Sequence, residues 1–162
     1  MKQYVIICVV VLLVLAGVVC FAGEKEYDEV KIYFVDSQIF RLIGVNTQIE
    51  KGSPQSQARE VLEILINGHD DNEHIRRVMP KVKKGMTVKV SDKIAYVDIK
   101  PKMINQQEKG REIESLAIYS VVNSLTEIEG IDAVRFTIDG MLSEKYAGFL
   151  DMRETFAKND IY

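Results

Sequence analysis

The chain predicts an α+β fold: a two-layer sandwich with two main helices packed on one face of a mixed or antiparallel sheet. Three observations lead there. Its strand-like segments alternate apolar and polar residues with period two, as strands with one wet face do. Two other segments carry apolar residues at the i, i+3, i+4 spacing of amphipathic helices. The order is strand, extended segment, helix, hairpin, helix, strand, a βαββαβ-like series that closes into two layers. None of the strands is apolar throughout, so burial on both faces is not expected.

Val30 to Asp36 (VKIYFVD) reads as the opening strand, with Val30, Ile32 and Phe34 on one face. Arg41 to Ile49 reads as an irregular extended segment interrupted at Gly44. Ser53-Pro54 opens a helix, serine as N-cap and proline at the first helical position. Ala58, Val61, Leu62 and Leu65 form its stripe, and Asn67-Gly68 ends it with residues that tolerate a left-handed cap. His69 to Pro80 reads as a loop with one helical turn. Met86 to Ser91 and Ile94 to Ile99 flank Asp92-Lys93 and predict a tight hairpin, ended by Pro101. Gln107 to Glu129 predicts the longest helix, with Ile113, Leu116, Ala117, Ser120, Val121, Leu125 and Ile128 as its stripe and Gly130 as its stop. Ala133 to Asp139 is the last strand, followed by a less regular tail from Met141 to Tyr162.

Ahead of this domain, Tyr4 to Ala22 is an apolar run of 19 residues without a charge. A hydrocarbon core needs roughly 20 such residues in a helix. Lys2 before the run and Glu24, Glu26, Asp28 and Glu29 after it orient the domain outside the cytoplasm. Three fates fit residues 1–22: an uncleaved hydrophobic anchor helix, a signal peptide cut before Gly23, or a lipoprotein modified at Cys20. Val19 before that cysteine makes a poor lipobox. Residues 23–28 read as a linker and 29–162 as the domain. Both cysteines, Cys8 and Cys20, precede the domain, which excludes disulfides, thiolate catalysis and thiolate–metal ligation within it. Beyond residue 22 stand 20 basic and 24 acidic side chains, a net of −4. Such a balance does not suit nucleic acid, which requires a basic patch.

Catalytic patterns are missing. There is no nucleophile elbow, phosphate loop or dinucleotide fingerprint. His69-Asp70-Asp71-Asn72-Glu73-His74 has metal-ligand residue types at no zinc spacing and reads as a solvated loop. Asp98 and Asp139, both near strand ends, read as a polar-face residue and a turn residue rather than an acid–base pair. No cofactor is implied. The second face of the sheet is richer: Tyr33, Val35, Lys89, Ile94, Tyr96, Arg135 and Thr137 combine tyrosine, aliphatic and basic side chains as contact surfaces do. Tyr33, Val35, Lys89, Tyr96, Arg135 and Thr137 are the candidate partner surface, unless the tail from Tyr146 to Phe156 folds over it as core.

A set of ordered blocks resembles the GerMN domain family of bacterial sporulation and germination proteins. They are Val30-Lys31-Ile32-Tyr33-Phe34, the helix end Leu65-Ile66-Asn67-Gly68, Met79-Pro80 before a basic turn, and Ala95-Tyr96-Val97-Asp98. The two most specific are Tyr119-Ser120-Val121-Val122-Asn123-Ser124-Leu125-Thr126-Glu127 and Val134-Arg135-Phe136-Thr137-Ile138-Asp139-Gly140. Ser124 stands where threonine is common, His69 where proline usually follows the glycine, and Lys100 where a small hydroxyl residue usually follows Val-Asp. The resemblance implies a fold like the ring-building modules of envelope assemblies. It also implies a non-enzymatic domain at the outer face of the cytoplasmic membrane, often on lipoproteins, associated with sporulation and germination. The function expected is a membrane-tethered interaction or assembly module. Its partners would be envelope proteins or further copies of itself; the alternative is a peptidoglycan-binding module.

Overall fold

The computed structural model describes residues 25–69 and 74–161. Residues 1–22, with Cys20 and the expected anchor or signal segment, lie outside the described residues. Among the described residues no helix is long and apolar enough to cross a membrane.

Strand β1 (Tyr27–Asp36) pairs antiparallel with β2 (Arg41–Glu50) along its whole length, Tyr27 opposite Glu50 and Asp36 opposite Arg41. The strand therefore begins inside the expected linker, at Tyr27. The extended segment is a regular strand. Gly44 does not interrupt it: Gly44 lies opposite Tyr33, and a Cβ there would stand 3.4 Å from the Tyr33 ring. The missing side chain lets the ring lie across the ladder. Helix α1 (Pro54–Asn67) follows. Ser53 Oγ accepts from the Ser56 N–H at 3.2 Å, and Gly68, at φ 88°, donates to Ile64 O. The loop after it holds a two-residue strand, β3 (Ile75–Arg76), paired with Val35 and Asp36, where a helical turn was expected.

Strands β4 (Met86–Ser91) and β5 (Ile94–Ile99) form the hairpin. Asp92 and Lys93 both have positive φ, 51° and 62°, as a type I′ turn demands. Pro101 does more than end β5: it starts a short helix, α2 (Pro101–Gln106). Helix α3 (Arg111–Leu125) is shorter than its apolar pattern. Strand β6 (Ala133–Ile138) then lies parallel to β5, with Val97 opposite Phe136. A parallel pair needs a crossover, and α2 and α3 supply it.

The α+β class and the helix–sheet packing are as the sequence predicts, but the strands form two sheets of three, ordered β2-β1-β3 and β4-β5-β6. Both helices pack with both sheets: α1 against β4, β2 and β1, and α3 against β1, β2 and β6. Helix α3 is consequently buried nearly all round, with Ile118 and Val122 as inaccessible as its expected stripe. One cluster built on Phe34, Ile32, Val97, Phe136, Leu65 and Leu125 joins the two sheets. The tail enters it, with Tyr146, Met152 and Phe156 all buried. It pairs with the outer edge of β6 through Val134 and Phe156, which exchange bonds of 2.8 and 2.7 Å.

Candidate interaction surface

The hairpin and crossover set two rows of side chains across the outer face of the β4-β5-β6 sheet. Lys89, Tyr96 and Arg135 are register partners, as are Thr87, Asp98 and Thr137. Val97 and Phe136, between the two rows, are buried in the core and Val88 packs partly against it, so period two sends these rows outward. Lys89 and Tyr96 are exposed. Arg135 is half-buried; its guanidinium donates at 3.4 Å to Thr155 Oγ1 and to Arg153 O of the tail. The tail thus lies along the edge of β6 and meets this face only at its border.

Two of the six residues expected on this surface stand elsewhere. Val35 is fully buried in a second apolar cluster with Leu42 and Leu116. Tyr33 is half-buried at the end of α3. Ile32 to Val35 is thus a stretch of β1 buried or half-buried on both faces. The cause is α3, which packs on the face that alternation alone leaves to solvent.

The residues around Tyr33 explain the most specific block of the sequence. The Tyr33 N–H donates to Ser124 Oγ at 2.8 Å, and its hydroxyl donates to Glu127 Oε1 at 3.1 Å. Ser124 in turn donates to Ser120 O at 2.6 Å. Lys158 Nζ sits 2.6 Å from the same Glu127 oxygen and 5.6 Å from the Tyr33 ring centre. Asn123, almost wholly buried, holds Asn159 by both its backbone groups, at 2.9 and 3.0 Å. Thr126 Oγ1 donates back to Val122 O at 2.9 Å. Burial pushes the Tyr33 phenol up; Lys158 opposes that shift and the Glu127 carboxylate adds to it. Hydrogen bonds to Glu127 and Tyr33 raise Lys158. Asn123-Ser124-Leu125-Thr126-Glu127 is therefore a knot tying β1, α3 and the tail.

Asp98 and Asp139 do converge, but through a lysine. Lys100 Nζ lies 2.8 Å from Asp98 Oδ2 and 3.3 Å from Asp139 Oδ1. Asp98 Oδ1 also accepts from Thr137 Oγ1 at 2.8 Å and from the Gly140 N–H at 2.6 Å. Burial raises the Asp98 carboxyl, but Lys100, Gly140 and Thr137 outweigh it and hold the group below its ordinary value. An acid–base pair needs one carboxyl kept protonated; Asp98 is held ionised instead. A carboxyl lowered in the native state stabilises the fold above about pH 4, where the unfolded carboxylate is charged, and that contribution is lost as pH falls through the native value. Asp98→Asn should cost about 1 kcal/mol at neutral pH. It should also reduce the stability lost on acidification, measured by urea unfolding from neutral to strongly acid pH. An unchanged acid limb would show that Asp98 contributes nothing to it.

Among the described residues no group of three or more His, Cys, Asp or Glu side chains is placed to hold a metal ion. Residues 70–73 of the His69–His74 loop lie outside them.

Two small sheets bound by a central helix, with a tyrosine-and-cation face and a structural knot at the helix end, define a class of small α+β module. The family model for Germane, described as sporulation and spore germination, matches residues 31–144. The chain belongs to that family. Solved structures with the same fold include the first GerMN domain of the sporulation protein GerM from Bacillus subtilis, at 20% identity and TM-score 0.58. That likeness covers 82% of this chain and 98% of that one. The tandem GerMN domains of the same protein give 20% identity and TM-score 0.63, over 82% of this chain and 46% of the tandem. The chain thus spans about half of the tandem structure. A Clostridium perfringens protein described as a candidate lipoprotein is 16% identical with TM-score 0.59, over 82% of this chain and 88% of that one. Among curated proteins, none matches.

Proposed function

We propose that this chain is a non-catalytic, membrane-tethered interaction module of the cell envelope, acting outside the cytoplasmic membrane in sporulation or germination. Its contact surface is the outer face of the β4-β5-β6 sheet. One observation carries this reading: the Lys89–Tyr96–Arg135 row, in register across three strands. A sheet face one of whose rows carries an exposed tyrosine beside an arginine holds two of the residue types enriched at protein contacts. Family membership supports the setting, and the apolar run of residues 4–22 supports the tether. The partner is a second copy of the chain or another envelope protein.

Lys89→Ala/Tyr96→Ala/Arg135→Ala should lower the thermal unfolding midpoint only slightly, because Lys89 and Tyr96 are exposed and Arg135 gives up only two long hydrogen bonds to the tail. It should abolish self-association in sedimentation velocity and, in cells, crosslinking to an envelope partner from a photoreactive residue placed at Thr87, exposed on the same face. Full retention of both complexes would remove this face from consideration. Co-sedimentation with purified cell wall, lost in the triple variant, would instead make peptidoglycan the ligand.

A further inference from the structure

A groove of about 700 Å³ runs between α1 and β4, at the edge of the sheet rather than on its outer face. Its floor is apolar: Leu62 and Ile66 from the helix and Met86 from the strand, all buried. Its rim is basic, with Arg59 on one side and Lys81, Lys83 and Lys84 on the loop before β4. Glu63 is the one carboxylate among the described residues lining it. On a domain whose net charge is −4, this is a concentration of the opposite sign.

The wall formed by β4 has a further property. β4 is the outermost strand of its sheet. Next to it, the Gln55 side chain imitates a neighbouring strand: its Nε2 donates to Val88 O at 2.8 Å and its Oε1 accepts from the Val90 N–H at 2.9 Å. Val88 and Val90 therefore direct their backbone groups away from β5. Antiparallel pairing alternates this direction, so Met86, two residues earlier, directs its peptide groups the same way. Gln55 covers the ladder at one end, and the groove lies along the other.

We propose that an extended, acidic segment of a partner protein binds here as an added strand alongside Met86, next to the stretch of β4 that Gln55 covers. An edge strand beside an apolar floor is the arrangement that adds strands. Period two in the bound segment sends alternate side chains onto Leu62, Ile66 and Met86 and the others outward. The rim selects carboxylates for those outward positions. An acyl chain or a helix would fill the floor but leave the Met86 peptide groups without a partner, at the cost of burying them unpaired.

The test is selection from a random displayed-peptide library by the full chain in nonionic detergent. The enriched peptides are expected to alternate acidic with apolar residues. Lys81→Glu/Lys83→Glu/Lys84→Glu should weaken a synthetic copy of the best one at least about tenfold in fluorescence anisotropy. N-methylation of alternate peptide nitrogens, which alters the ligand and not the protein, should weaken it likewise in one of the two registers only. Enriched peptides without acidic residues overturn the proposal, as does affinity indifferent to the lysine reversals or to N-methylation in both registers. No enrichment, combined with lysine-dependent binding to phosphatidylglycerol vesicles, overturns it in favour of a membrane surface.

Discussion

Truncation after Glu144 will abolish cooperative unfolding, although the family match ends at that residue. The lost segment contributes Tyr146, Met152 and Phe156 to the main core. Fully burying a large apolar side chain stabilises by about 1.5–3 kcal/mol. Three of them approach the whole stability of a small domain, roughly 5–15 kcal/mol. Phe156 also stands edge-on to Phe136 at 5.6 Å and to Tyr119 at 5.8 Å between ring centres. Its loss bares both rings and the edge of β6 together. Asn123 loses the Asn159 backbone groups that satisfy it. Urea unfolding followed by circular dichroism should show a broad slope in place of a transition. A truncated chain with a sharp transition within about 2 kcal/mol of the full one would show that the tail is only an appendage.

Glu114→Ala will destabilise the protein by about 3 kcal/mol, since it strips a buried acceptor from several donors at once. Glu114 is fully inaccessible, in the first turn of α3. Its Oε2 accepts from the N–H groups of Phe149 at 2.9 Å and Leu150 at 3.0 Å, with Ala147 at 3.4 Å. Its Oε1 has no hydrogen-bond partner among the described residues. The carboxylate thus holds the loop that carries Tyr146, whose hydroxyl donates to Gln107 Oε1 at 2.9 Å. Burial, with the nearby Glu114 charge, pushes that phenol well above its ordinary range. Glu114→Gln keeps one carbonyl for the loop and should cost about half as much. Hydrogen exchange at residues 147–150 should accelerate in both variants. A Glu114→Ala protein within about 0.5 kcal/mol of the parent would refute the role assigned to this carboxylate.

Local signals were legible where one residue type answers one local demand. Ser53-Pro54, Gly68 and Asp92-Lys93 mark caps and a turn that depend on a few adjacent dihedrals. Strand alternation brought Lys89, Tyr96, Arg135 and Thr137 to one face because period two is a property of each strand alone. Val35 and Tyr33 were misplaced because their surroundings depend on which sheet β1 joins and on what covers it. Glu114 looked like an ordinary first-turn acid, since its donors come from more than thirty residues later. The groove gave no signal, for the same reason: its rim and floor come from separate elements.

The amino-acid sequence by itself determined the α+β class, the boundaries of α1 and of the hairpin, the family, and the outward row on β4, β5 and β6. Each follows from periods and turn chemistry acting over a few residues. Only the tertiary structure decided that the strands split into two sheets, that α3 is enclosed by both, that the tail is core, and that a basic groove opens beside β4. Those outcomes rest on contacts between distant segments, whose burial stabilises the fold only after chain entropy has been lost in bringing them together.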